Sequence, residues 1–134
     1  MILVDTNVLL DLVTDDPRWA DWSQHQLEAA SLQGTLAIND VVYAELAIGY
    51  ARIESLDAFV ARAGLRIDPM PRAALFLAGK AFERYRRTRG TKTGVLPDFF
   101  IGAHASVLGA RLLTRDVGRY RTWFPKLALI APEG

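Results

Sequence analysis

The chain is predicted to be an α/β protein, a three-layer α/β/α sandwich around a central, mainly parallel five-stranded sheet. Three observations predict it. Short apolar runs alternate with segments whose apolar residues recur at helical spacing, the pattern of parallel strands returned by helices. The 134 residues can bury a sizeable core, and no linker, internal repeat or low-complexity segment divides them, so residues 1–134 read as a single domain. Cysteine is absent, which excludes disulfide frameworks, thiolate catalysis and Cys-based metal sites together.

The elements follow in order. Ile2-Leu3-Val4 is a strand ended by Asp5-Thr6-Asn7, and Val8, Leu9, Leu12 and Val13 then recur as a helix face. Pro17 suits the first turn of a second helix, carrying Trp19, Trp22 and Leu27 and stopping near Gly34. Thr35 to Ile38 is the second strand, and Asn39 or Asp40 caps a helix containing Val41, Val42, Glu45, Leu46 and Ile48. Ser55 begins a shorter helix closed by Gly64, and Leu65 to Asp68 is the third strand. After Pro71 a long amphipathic pattern from Ala74 to Tyr85 runs into a basic segment and stops at Gly90. Residues 90–97 read as a loop, Asp98 starts a helix that ends at Gly109, Arg111 to Thr114 is the fourth strand, and Leu127 to Ile130 is the fifth. Between the last two strands, Val117 to Phe124 is short and aromatic.

Charge is informative through its distribution. The net charge is +1, yet Arg84, Arg86, Arg87, Arg89 and Lys92 crowd one segment, while Asp11, Asp15, Asp16 and Asp21 crowd another. A nucleic acid could use the first, although cations at a helix C-terminus are favourable without any ligand. No basic leader followed by a long apolar run is visible, and no apolar stretch reaches the roughly 20 residues of a membrane span. A cytoplasmic protein with no membrane partner is expected.

Four acids stand where apolar elements end or turn inward: Asp5 after the first strand, Glu45 within Val42-Tyr43-Ala44-Glu45-Leu46, Asp98 at the head of Phe99-Phe100-Ile101, and Asp116 after Leu112-Leu113-Thr114. Singly, each has an ordinary explanation as a cap, a turn residue or a tolerated acid. Together they differ, because sites in open α/β sheets lie beyond the carboxyl ends of the strands, and the alternating pattern sends all four to that edge. Carboxylates gathered on apolar surface repel one another unless a cation compensates them. Oxygen-only donors point to Mg²⁺, with Mn²⁺ as the second possibility, and such an ion suits phosphodiester hydrolysis. Arg115, next to Asp116, can face a reacting phosphate or make a structural ion pair.

The motifs Val4-Asp5-Thr6-Asn7, Glu45 in its apolar helix, Pro97-Asp98 and Leu113-Thr114-Arg115-Asp116 resemble those of the PIN-domain nucleases across essentially the whole chain. The compact size and the ending from Tyr120 to Phe124-Pro125 are similar to the VapC-type ribonuclease toxins of bacterial toxin-antitoxin pairs. The resemblance implies an RNA substrate, a cognate antitoxin that packs on the early helices, where Trp19 and Trp22 lie, and a homodimer. It implies an acidic pocket of Asp5, Glu45, Asp98 and Asp116. Asp5 and Asp98 are then the direct metal ligands, with Glu45 and Asp116 completing the pocket, and Thr6 and Thr114 hold an acid or a water. His25 and His104 read as surface or core histidines, and Gly102 as a close-packing position.

Two other functions compete. A PIN-like scaffold could bind RNA or protein without cutting. Asp5 after the first strand also resembles the start of haloacid-dehalogenase-type phosphatases, which expect a second Asp two residues later, where this chain has Asn7.

Overall fold

Strands of two or three residues, too short to stand alone, make the sheet by pairing side by side. The computed structural model describes residues 1–88, 90–92 and 94–132. Its strands are β1 (Ile2–Val4), β2 (Leu36–Ile38), β3 (Leu65–Ile67), β4 (Arg111–Leu113) and β5 (Leu129–Ile130). They form one sheet in the order β3-β2-β1-β4-β5, every pair parallel. β1 and β2 are buried along their whole length, as strands covered on both faces require. The flanking strands are less so: Arg66 and Ile67 of β3 are exposed and β5 is half-buried.

Seven helices connect the strands among the described residues: α1 (Thr6–Val13), α2 (Ala20–Ser31), α3 (Asp40–Ala47), α4 (Ile53–Arg62), α5 (Arg72–Arg87), α6 (Leu96–Leu108) and α7 (Gly118–Trp123). Local chemistry sets their ends. Asp5 caps α1 by accepting from the Thr6 N–H, and Asn39 caps α3 by accepting from the Val42 N–H. Gly109, at φ 65°, takes the left-handed conformation that closes α6.

Several boundaries differ from the sequence reading, each for a local reason. α2 starts at Ala20 because Asp16 accepts from the N–H groups of Arg18 and Trp19, which holds Pro17 in a turn before the helix. α4 starts at Ile53, two residues before Ser55. α6 starts at Leu96, because Pro97 fits a first turn whose N–H groups need no intrahelical acceptor. The aromatic segment after β4 contains α7, and Thr35 lies outside β2. Arg89 of the basic segment lies outside the described residues.

The strand order places the site. The chain steps outward from β1 through β2 to β3, then crosses back to β4 on the other side of β1. Right-handed crossovers therefore carry the connections after β1 and after β4 to opposite faces. A crevice opens between the carboxyl ends of those two strands. Val4 pairs with Leu113, so Asp5 and Thr114 leave the sheet side by side, and the Asp5 N–H donates to the Leu113 carbonyl at 2.9 Å.

Under this edge lies an aromatic cluster in which Phe99, fully buried, touches Phe82, Tyr85, Trp123 and Phe124. Gly102 lets α6 approach it: a Cβ at that position would stand 2.6 Å from the Phe124 ring.

Candidate active site

Asp5 is the centre of the arrangement. It is 3% exposed, and four donors converge on it: the Thr6 N–H at 2.7 Å, the Thr114 hydroxyl at 2.8 Å, the Tyr120 hydroxyl at 2.9 Å and the Asn7 amide at 3.3 Å. These partners come from the start of α1, the end of β4 and α7, so the carboxylate ties three elements together. Burial raises its carboxyl from 3.8 to about 6; Thr114, Tyr120 and the Thr6 N–H oppose the rise and the charge of Asp98 adds to it. Burial likewise holds the Tyr120 hydroxyl protonated, helped by the negative charge of Asp5, so it serves Asp5 as a donor.

The other acids gather around this centre. Glu45, half-buried on α3, accepts from the Thr6 hydroxyl at 2.7 Å. Asp98, in the first turn of α6, has its carboxyl raised by burial, lowered by Arg119, and raised again by the charges of Asp116 and Glu45. Asp116 is exposed, its N–H held by the Thr114 hydroxyl at 3.0 Å. Asp98 thus lies within electrostatic reach of Asp5, Glu45 and Asp116, with Thr6 bracing Glu45 and Thr114 bracing Asp5. Asn7, where a phosphatase of the haloacid-dehalogenase type would carry its second Asp, donates to both Asp5 and Thr114 and accepts from the Arg115 N–H.

Arg115 turns away from the acids. Its guanidinium makes a two-point pair with the buried Asp11, Nε to Oδ2 at 2.8 Å and Nη2 to Oδ1 at 2.9 Å, and lies over the Trp19 ring. The cation that faces the acids is Arg119 instead, pairing with Asp98 and standing 4.0 Å from Asp116 Oδ2. Sequence reasoning missed Arg119, Tyr120 and Asn7 as members of this site. A faint signal existed, since Arg119 follows Asp116 by three residues at the entry to a short helix.

Among the described residues, no group of three or more acidic or histidine side chains stands ready to hold a metal ion. Arg119 supplies positive charge there instead. The chemistry of the donors nevertheless suits a hard divalent cation, because they are all oxygens and their mutual repulsion is what such an ion relieves.

The remaining sequence candidates lie elsewhere. Trp19 and Trp22 form an edge-to-face pair at the start of α2, both half-buried. His25 is exposed, and His104 is a core residue hydrogen-bonded to Asp68 at 3.1 Å. Of the basic segment, Arg87 pairs with Glu83, and Arg86 lies over the Phe82 ring.

The raised Asp5 carboxyl has a measurable consequence without metal. Below pH 3.8 the group is protonated folded and unfolded; between 3.8 and about 6 the unfolded chain ionises first, so stability falls as pH rises, and above about 6 the loss levels off. Two pK units correspond to about 3 kcal/mol. Urea melts in EDTA are therefore expected to show Asp5→Asn gaining on the wild type from pH 4 to pH 6.5, by about 2 kcal/mol over that range. A difference that stays flat over that range would contradict a carboxylate whose burial outweighs its hydrogen bonds.

Comparison with known proteins identifies the family. The PIN domain family model matches residues 2–123. The chain is 33% identical over 120 residues to Ribonuclease VapC10 of Mycobacterium tuberculosis, covering 90% of this chain and 86% of the relative. Among solved structures, the VapBC2 complex of Rickettsia felis bound to a promoter DNA fragment superposes with a TM-score of 0.76 at 22% identity, covering 99% of this chain and 100% of its counterpart. The DNA-bound VapBC of Salmonella typhimurium superposes with a TM-score of 0.72 at 18% identity, covering 97% of this chain and 96% of its counterpart. At such identities the superpositions speak for the fold, and the family match and the ribonuclease relative carry the assignment. The chain belongs to the PIN-domain family and is of the VapC type.

Proposed function

We propose that the protein is an endoribonuclease that uses a divalent metal ion, Mg²⁺ with Mn²⁺ as a substitute, and acts as the toxin of a toxin-antitoxin pair. The observation that carries this reading is the meeting of Asp5, Glu45, Asp98 and Asp116 at the switch point of the sheet, in a chain 33% identical to a ribonuclease. Asp5 and Asp98 would hold the ion, with Glu45 and Asp116 completing the pocket. A bound divalent cation supplies polarisation of the phosphate and acidification of the attacking water. The protein's own part is positional. Thr6 orients Glu45, the Thr6 N–H holds Oδ1 of Asp5, and Thr114, Tyr120 and Asn7 hold its Oδ2 before any substrate arrives. Placement in the cytoplasm, where RNA is met, belongs to the same reading, and among the described residues no helix is long and apolar enough to cross a membrane.

An antitoxin is the partner we assign. The structural relatives are VapBC complexes, and Leu10 and Val13 are exposed on α1, which packs against α2, the helix at whose start the Trp19–Trp22 pair lies; these apolar side chains suit a partner segment. Leu75 and Phe76, exposed on α5, offer an apolar face for the expected homodimer. A non-catalytic scaffold is the second reading, favoured by one observation: Arg119 occupies the space between Asp98 and Asp116.

Labelled RNA and DNA incubated with Mg²⁺, Mn²⁺ or EDTA separate the readings. The nuclease cuts RNA with either ion and stops in EDTA. Binding of RNA without cleavage under every condition would establish the scaffold.

A further inference from the structure

We propose that Arg119 is an exchangeable counter-ion: in the metal-free protein it neutralises Asp98 and Asp116, and in the loaded enzyme it takes the RNA phosphate as its partner. The inference rests on the metal-dependent nuclease reading above. Arg119 is the second residue of α7, and the next residue, Tyr120, is fully buried with its hydroxyl on Asp5. The backbone at Arg119 is therefore anchored to the centre of the site, while its long side chain reaches across to α6 and to the end of β4.

The pair it makes there is accessible. The side chains of Arg119 and Asp98 are 26% and 25% exposed and that of Asp116 is 51% exposed, so solvent and ligand reach all three. Arg115 is the contrast, because Asp11, its two-point partner, is 2% exposed, and a third contact with the Trp19 ring holds the guanidinium in place. One arginine is locked and the other is free to exchange.

Charge argues for the direction of exchange. Asp98 lies in the field of Asp116 and Glu45, and a single guanidinium offsets only part of that repulsion. A divalent cation offsets more, so Arg119 gives up Asp98 when one binds. The released guanidinium remains tethered beside the pocket, and its planar fork matches a phosphate as well as it matches a carboxylate. The same side chain thereby opposes metal entry and assists the substrate.

Mn²⁺ titrations followed by electron paramagnetic resonance of the free ion, on wild type, R119A and R119K, test the exchange without relying on activity. R119A is expected to bind Mn²⁺ about tenfold tighter, the equivalent of one charge-assisted hydrogen bond no longer broken, and R119K to fall between. At saturating Mn²⁺, R119A is expected to cleave RNA at least about tenfold more slowly, the cost of losing one such bond to the phosphate, and R119K to recover part of the rate. Should R119A fail to fold, the intermediate affinity of R119K carries the test. Equal or weaker Mn²⁺ binding in the variants, or an undiminished rate at saturation, overturns the proposal. A wild type that binds no Mn²⁺ overturns the metal-dependent reading itself, whereas a wild type that binds it with no gain in the variants overturns the exchange alone.

Discussion

Asp98→Asn is expected to abolish RNA cleavage, by about a thousandfold or more, while leaving the protein folded. The two halves of this expectation have one cause. Asp98 carries charge in a place where burial and the neighbouring Asp116 and Glu45 disfavour it, and among the described residues Arg119 is the cation that pairs with it. Folding therefore gains little from the charge, and an amide of the same shape fits the first turn of α6 equally well. A divalent cation, by contrast, depends on that charge, and a factor of a thousand in rate corresponds to about 4 kcal/mol of lost transition-state stabilisation. Single-turnover cleavage and a thermal melt on the same preparation decide it. A variant that cuts at the wild-type rate would remove Asp98 from the mechanism; one that unfolds would make its role structural.

Arg115→Ala has the opposite signature: a loss of stability of about 3 kcal/mol, or roughly 10 °C in melting temperature, from leaving the buried Asp11 without its cation. Asp11 would keep only the Ser23 hydroxyl, at 2.8 Å, as its partner. Trp19 would lose the guanidinium over its ring, which couples the turn before α2 to the end of β4. Replacing both partners, Asp11→Leu with Arg115→Met, is expected to recover most of the stability, since paired apolar groups avoid the desolvation that an orphaned carboxylate suffers. Chemical denaturation of the single and double variants measures this. If Arg115→Ala keeps its stability and loses cleavage, the guanidinium acts on the substrate, as its place next to Asp116 in the sequence allows.

The contrast between the two arginines shows how far a one-dimensional reading reaches. Strand and helix order was legible because each element carries its own period and its own stops: the triplet Ile2-Leu3-Val4 before Asp5, a cap at Asn39 or Asp40, the stop at Gly109. Helix starts were less legible. At Pro17 and at Ser55 the sequence offers several acceptable first turns, and side-chain hydrogen bonds such as those from Asp16 choose among them. The tight fit of Gly102 beneath Phe124 joins residues from different elements and could be named only as a close-packing position.

What the sequence by itself determined was the alternation of strands and helices around a mainly parallel sheet, and with it the edge at which four acids could meet. A parallel α/β pattern permits few strand orders, and residues that follow strands must leave at the carboxyl end. Which cation faces those acids was decided by the tertiary structure. Arg115 and Arg119 stand four positions apart, and nothing local distinguishes them. Burial of Tyr120 against Asp5 orients α7 so that Arg119 reaches Asp98, while Asp11, buried under α2, draws Arg115 away. Those are contacts between residues separated by about a hundred positions in the chain, 115 for Tyr120 with Asp5 and 104 for Arg115 with Asp11. Packing sets them, and no local period or motif encodes them.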